Sequence, residues 1–116
     1  MYGVIPSLRF PDLAEAVGFY VEQLGFEVVR GELADGNVAV QRNFGRLMLE
    51  AAGSFYVPGY DDAIRERLGT RSPNALYIEE PDLAAYHDRL QAAGVKVVDP
   101  LAERSWGQAE FTVEDV

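Results

Sequence analysis

The side chains that could do chemistry in this 116-residue chain are acidic, amide and aromatic, with one histidine, His87, and no cysteine. Without cysteine the chain has no disulfide, no thiolate metal site and no cysteine nucleophile. A single histidine on a predicted helix argues against a nucleophilic triad and is typical of a surface position. Gly31, Gly36 and Gly45 lie in separate segments of the chain and form no phosphate-binding loop. The remaining chemistry is recognition by carboxylates, amides and aromatic rings.

Five candidate ligand-binding side chains share one face of a predicted hairpin series. Its strands are Phe26–Leu33, Val38–Arg42 and Leu47–Ala51, joined by turns at 34–37 and 43–46. We expect Arg42 to pair with Leu47 and Asp35-Gly36 to form a two-residue loop. Strand alternation then places these residues on one polar face: Arg30, Glu32, Gln41, Met48 and Glu50. The opposite face, suited to packing under helices, carries Leu33, Val38, Val40, Leu47 and Leu49.

An internal repeat sets the elements that position these strands. Pro11-Asp12-Leu13-Ala14 returns unchanged 70 residues later as Pro81-Asp82-Leu83-Ala84. Each copy opens a stretch with helical apolar spacing, with aspartate at the N-cap, and each helix stops at a glycine. Gly25 follows Asp12 by 13 positions, whereas Gly94 follows Asp82 by 12. The matched elements predict two similar halves.

The repeat predicts a β-α-β-β-β order in the first half and the same beginning in the second. The second half is expected to contain strands at Ala75–Glu79, Val95–Val98 and Ala109–Val113 and a helix at Asp82–Ala93. We therefore expect one domain over residues 1–116. It is expected to consist of a first module at 1–53, a connector at 54–73 and an incomplete second module at 74–116.

The charge balance limits the classes of molecule that the chain is expected to bind. Ten Lys+Arg against nineteen Asp+Glu give a formal net charge of −9, which argues against nucleic-acid binding and favours attraction of cationic small molecules. No apolar run is long enough for a membrane span, and the first residues lack a signal-peptide pattern. We therefore expect a cytoplasmic protein with no nucleic-acid or membrane partner.

The chain resembles the vicinal-oxygen-chelate superfamily of glyoxalases, ring-cleaving dioxygenases and bleomycin-resistance proteins. The residues that carry the resemblance are Ile5–Leu13, Gly18-Phe19-Tyr20, Leu24-Gly25-Phe26, Ala92–Val95 and Trp106–Asp115. It is closest to the bleomycin-resistance-like branch through Pro6, the Leu47–Glu50 strand and the Trp106-Gly107 pair. The resemblance implies an α+β fold of paired βαβββ modules that form a curved sheet and a cleft, with the last strand absent here. It also implies a homodimer.

The metalloenzymes of this superfamily hold a divalent ion with His, Gln or Glu from four strands. Carried over by the two Pro-Asp anchors, two of these positions fall on Ile5 and Ala75, whose side chains have no donor atom. A third falls on Glu50, the one residual candidate, and the fourth would lie beyond the chain. We therefore expect no metal, no cofactor and no catalytic residue.

Metal-free binding of a small molecule is the favoured function, as in proteins that confer antibiotic resistance by sequestering a cationic or aromatic ligand in a dimer cleft. Trp106, Phe55 and Tyr56 offer stacking surfaces. Glu32 and Glu50 would meet positive groups, while Arg30 and Gln41 would orient the ligand beside Met48. Two alternatives stay open: a metal-dependent lyase or oxidoreductase of the glyoxalase or dioxygenase type, and a structural or partner-binding module.

Overall fold

The computed structural model describes residues 3–52, 58–68 and 75–116. The strands are β1 Ser7–Phe10, β2 Glu27–Glu32, β3 Asn37–Arg42, β4 Gly45–Ala51, β5 Val97–Glu103 and β6 Ala109–Val113. The helices are α1 Leu13–Gly18, α2 Pro58–Arg67 and α3 Leu83–Ala92, with a π-helical turn at Phe19–Gln23 and a 3₁₀ turn at Leu33–Asp35. The chain divides into two units, Met1–Leu76 with Val116 and Tyr77–Asp115. In the described part of the chain, no helix is long and apolar enough to cross a membrane.

The first unit contains the predicted β-α-β-β-β order. Its four-stranded sheet has the order β1-β4-β3-β2, with β1 parallel to β4 and the other neighbours antiparallel. Helix α1 connects β1 to β2, which lie at opposite edges of the sheet. This arrangement places the N-terminal strand directly beside β4, although 34 residues separate them in sequence.

The predicted pairing of the hairpins was wrong by two residues. Arg42 pairs with Gly45 rather than Leu47, because Asn43-Phe44 alone forms the turn and Asn43 takes a positive φ of 52°. Arg30 pairs with Ala39 rather than Gln41, because the turn takes four residues, 33–36, and Glu32 already pairs with Asn37. An error of two residues preserves strand alternation, so the predicted division into two faces is confirmed, except that Leu33 leaves β2 for the 3₁₀ turn and is half exposed.

The apolar face of this sheet forms the core with α1 and the π-helical turn. Val38, Val40 and Leu49 are at most 1% exposed. Tyr20 lies at the centre of an aromatic cluster, with ring centroids 6.3 Å from Phe10, 5.5 Å from Phe19 and 5.5 Å from Phe26, all in edge-on geometry. The opposite face of the sheet carries the polar side chains, among them the exposed Arg30 and Glu32 and the buried Glu50.

The π-helical turn accommodates the extra residue that the repeat shows in the first half. The N–H of Leu24 bonds the carbonyl of Phe19, five residues back, whereas the N–H of Ala93 bonds the carbonyl of Arg89, four residues back. The two amides both immediately precede the helix-ending glycines. The wider turn allows the consecutive side chains of Phe19 and Tyr20 both to be buried. Both aspartate N-caps are confirmed, since Asp12 accepts from the N–H of Glu15 and Asp82 from that of Ala85.

The second unit consists of α3 and the β5–β6 hairpin. The strand predicted at Ala75–Glu79 is not formed, because residues 75–78 make no ladder hydrogen bonds within the described chain. The strand predicted at Val95–Val98 begins later, at Val97, because the N–H of Val95 is used to bond the carbonyl of Leu90 at the helix end. The helix and the final strand Ala109–Val113 agree with the prediction.

Two glycines with the same backbone angle allow the effect of a close contact to be measured alone. Gly31 and Gly94 both have φ of 83°. A Cβ on Gly31 would lie 2.3 Å from the carbonyl oxygen of Asn37, whereas a Cβ on Gly94 would meet nothing within 4 Å. We expect Gly94→Ala to lower the free energy of unfolding by about 1–2 kcal/mol through backbone strain alone. Gly31→Ala should cost about 3 kcal/mol, because the strand backbone must also move. Equal losses in urea denaturation would contradict this description of the β2–β3 pair.

Candidate functional site

The polar face of the first sheet gathers side chains from all four strands. Its members from β1 are Ser7 and Arg9, and those from β2 are Arg30 and Glu32. Those from β3 and β4 are Gln41, Arg46, Met48 and Glu50. The predicted site residues Arg30, Glu32, Gln41, Met48 and Glu50 therefore lie on one face.

Glu50 is the most enclosed charged group of this face, with 6% of the residue exposed. Its Oε1 accepts a hydrogen bond from Ser7 Oγ at 2.8 Å, and its Oε2 forms an ion pair with Arg9 Nε at 3.2 Å. The parallel register explains the contact, because Arg9 lies beside Glu50 and Ser7 beside Met48. Both carboxylate oxygens are thus occupied by side chains of the chain itself.

The electrostatic consequence is that Glu50 does not present a free negative charge. A carboxylate removed from water requires a counter-ion and hydrogen-bond donors, and Arg9 and Ser7 supply them. The side chain of Arg9 is itself only 9% exposed, so the pair is shielded from solvent. Its attraction is therefore screened far less than that of a surface pair.

Gln41 and Arg46 form a second polar pair on the same face. They oppose each other in the β3–β4 register, and Arg46 Nη2 donates to Gln41 Oε1 at 3.0 Å. Both residues are half-buried. The amide oxygen of Gln41 is therefore oriented by the arginine.

Arg30, Glu32 and Met48 complete the predicted set. Arg30 and Met48 both pair with Ala39, on its two sides, and Ala39 is fully buried. Glu32 is exposed at the end of β2, and its backbone N–H donates to the carboxylate of Asp35 at 3.0 Å. Glu32 is thus the exposed acidic group of the predicted set, whereas Glu50 is internal.

Trp106 lies at the tip of the β5–β6 hairpin in the second unit and is 65% exposed. Its Nε1 donates to Glu110 Oε2 at 2.6 Å. The following residue, Gly107, has φ of 89°, and its N–H bonds the carbonyl of Arg104 at 3.0 Å. The indole is thus held from one edge while most of its surface is open to solvent.

Arg104 connects the two strands of the β5–β6 hairpin next to the loop that carries Trp106. Its Nη2 donates to the carbonyl of Pro100 at 2.8 Å and to that of Glu110 at 3.1 Å, and it pairs with Asp99 at 3.2 Å. These contacts cross the irregular part of the β5–β6 register. The contacts of Arg104 therefore fix the two strand ends from which the loop with Trp106 extends.

Two predicted stacking residues, Phe55 and Tyr56, lie outside the described residues. His87 is described, and its ring is more enclosed than a surface position implies. Its side chain is 14% exposed, and its ring packs edge-on against Phe111 at a centroid distance of 4.9 Å. His87 thus acts as a packing residue between α3 and β6.

The described residues do not fit a metal centre. Over residues 3–52, 58–68 and 75–116, no group of three or more His, Cys, Asp or Glu is placed to hold an ion. At the positions carried over from the metalloenzymes, Ile5 and Ala75 have no donor atom, and the carboxylate of Glu50 is held by Ser7 and Arg9. We derive no chemistry through a metal from these residues.

Sequence reasoning missed Ser7 and Arg9 as members of this site. The signal was present, because their two-residue spacing places both on one face of β1, and an arginine is a suitable partner for a buried glutamate. Their contact with Glu50 depends on the parallel β1–β4 pairing, which local patterns do not indicate.

Comparison with known proteins gives a family match. The family model of the Glyoxalase/Bleomycin resistance protein/Dioxygenase superfamily matches residues 5–116. A search of curated proteins finds no significant match.

Solved structures with similar folds include three with chains of similar length. UcmS2 is 25% identical with a TM-score of 0.69, and the match covers 99% of this chain and 92% of that chain. TioX from Micromonospora sp. ML1 is 19% identical with a TM-score of 0.72, covering 100% and 91%. A bleomycin resistance determinant encoded on the transposon Tn5 is 20% identical with a TM-score of 0.69, covering 99% and 89%.

Proposed function

Because this chain belongs to the Glyoxalase/Bleomycin resistance protein/Dioxygenase superfamily, we propose that it binds and sequesters a small organic molecule without a metal ion. The observation that carries the proposal is that the carboxylate of Glu50 is already bound by side chains of the chain itself. This carboxylate is the residual metal-ligand candidate, and Ser7 and Arg9 hold it within the polar face of the sheet. A face built in this way can recognise a ligand by hydrogen bonds and shape without an inorganic ion.

The proposed ligand carries a positive charge and a planar group. The net charge of −9 attracts cations from solution, and Glu32 is an exposed carboxylate on the polar face. Trp106 provides an open indole surface, and a cation over an indole face gains about 0.5–2 kcal/mol. Gln41 and Arg30 are proposed to orient polar groups of the ligand. The similar structure named as a bleomycin resistance determinant supports this ligand class.

We also propose that the protein acts as a homodimer and sequesters the ligand in a cleft completed by the second copy. Solution molar mass from light scattering tests this part separately. A mass of twice the 12.8 kDa chain is the expected result, and a monomer with full ligand affinity would contradict it.

The function is tested by a thermal-shift screen with bleomycin-type and other cationic aromatic compounds, alongside divalent metal ions. A ligand at 100 times its Kd should stabilise the fold by about 2.7 kcal/mol, which is a rise in Tm of about 10 °C in a domain of this size. Stabilisation by an organic cation alone is the expected outcome. Stabilisation by metal ions alone would contradict metal-free binding.

Trp106→Ala is expected to lower the affinity for the organic ligand by about 10-fold or more. The melting temperature of the free protein should stay nearly unchanged. The indole is exposed, so its removal costs little packing. Phe44→Ala is the matched control, because Phe44 is an exposed aromatic residue at another hairpin tip, 94% exposed. Isothermal titration of both variants checks the role. Equal affinities of the two variants would remove Trp106 from the binding surface.

A further inference from the structure

The ion pair between Arg9 and Glu50 lies where the chain retains one candidate metal ligand. We propose that the guanidinium of Arg9 is the resident cation of a cation site at Glu50, so that the chain carries internally the positive charge that a bound ion would otherwise supply. Removal of that side chain should uncover a latent site for a small cation.

The geometry supports this assignment. Glu50 Oε2 is 3.2 Å from Arg9 Nε, and Oε1 is held at 2.8 Å by Ser7 Oγ. The exposed fractions of the two charged side chains are 9% and 7%. The cation and anion are therefore both built into adjacent, hydrogen-bonded strands rather than meeting at the surface.

The negative charge of Glu50 determines that a cation would bind in the place of the Arg9 guanidinium. A buried carboxylate that loses its counter-ion is strongly unfavourable, so a cation from solution that reaches Glu50 regains much of the lost interaction. In the Arg9→Ala variant the donors left there are oxygen atoms from Glu50 and Ser7, which suit a hard divalent ion such as Mn²⁺ that keeps several water ligands. A guanidinium ion suits the same carboxylate through charge-assisted hydrogen bonds.

The proposal is separate from the search for an organic ligand. It concerns one carboxylate and its counter-ion, and its readout is the stability of the protein without any organic aromatic compound. A failed ligand screen leaves it intact, and its own failure leaves the ligand screen intact.

The experiment compares four proteins: the wild type, Arg9→Ala, Arg9→Ala/Glu50→Gln and Arg30→Ala. Arg30→Ala is the matched control, because Arg30 is an exposed arginine of the same sheet face. Each protein is melted with millimolar methylguanidinium chloride, with Mn²⁺ chloride, and with sodium chloride at equal ionic strength, which removes general salt effects.

We expect Arg9→Ala to melt well below the wild type and to regain about 5 °C or more with methylguanidinium or Mn²⁺ relative to sodium. The wild type and Arg30→Ala should gain nothing, and the double variant should lose the response because Glu50→Gln removes the negative charge. If Arg9→Ala is unfolded in sodium chloride, the same cations must restore folded protein in a refolding assay. No cation-specific gain in Arg9→Ala, or an equal gain in the double variant, overturns the proposal.

Discussion

Glu50→Ala is expected to lower the free energy of unfolding by about 3–5 kcal/mol, a large part of the 5–15 kcal/mol typical of a domain. The reason is that Arg9, only 9% exposed, would keep its charge in a poorly solvated place without the carboxylate that compensates it. Ser7 would also lose its acceptor, which is 2.8 Å away in the intact protein. Urea denaturation of the variant gives the loss directly.

Two companion variants separate the ion pair from general effects of losing a glutamate. Glu27→Ala removes an exposed glutamate on β2 and should change stability by less than about 0.5 kcal/mol. Glu50→Gln keeps an acceptor for Ser7 but loses the charge, so its cost should fall between the two. A loss from Glu50→Ala no larger than that from Glu27→Ala would contradict the buried pair.

Tyr20→Ala is expected to cost about 3–5 kcal/mol, because it empties the centre of the aromatic cluster under the sheet. Tyr20 is 5% exposed, and its ring contacts those of Phe10, Phe19 and Phe26 edge-on. The wide turn that buries Phe19 beside Tyr20 leaves little freedom for the neighbours to fill the cavity.

Tyr77→Ala is the control for this prediction, because it is the same substitution at a residue that is 85% exposed. It should change the free energy of unfolding by less than about 0.5 kcal/mol. The midpoints and slopes of denaturant unfolding curves for both variants give the free energies of unfolding that test this prediction. A Tyr20→Ala variant within about 1 kcal/mol of the wild type would mean that the cluster does not stabilise the first unit.

Local patterns were sufficient for the repeat, the helix caps and the two faces of the first sheet. The Pro-Asp repeats predicted helices whose aspartates cap them as expected. The division into faces agreed with the structure although the pairing was shifted, because alternation depends only on parity. The pairing itself depends on turn conformation, and the positive φ of Asn43 is not evident from its neighbours.

The burial of Glu50 in an ion pair with Arg9 could not be predicted from local patterns. Its counter-ion Arg9 is 41 positions away in the sequence, and the two meet only through the parallel β1–β4 pairing. The one-residue difference between the repeats was visible in the sequence. The structure shows that it is accommodated by a π-helical turn that buries both Phe19 and Tyr20.

The predicted strand at Ala75–Glu79 shows the limit of apolar pattern as evidence. Leu76, Tyr77 and Ile78 have strand-forming composition, yet all three are exposed. A strand is stabilised by a hydrogen-bonded neighbour, and composition alone does not supply one.

The most direct test of metal-free recognition is titration of the organic compound that scores highest in the screen into protein first treated with a chelator and dialysed. Isothermal titration is then repeated with equimolar Mn²⁺, Ni²⁺ or Zn²⁺ added. We predict the same Kd, within about twofold, in all four samples, because Ser7 and Arg9 already occupy the carboxylate that an ion would need. Binding that disappears in the chelated protein and returns with an ion would contradict the account.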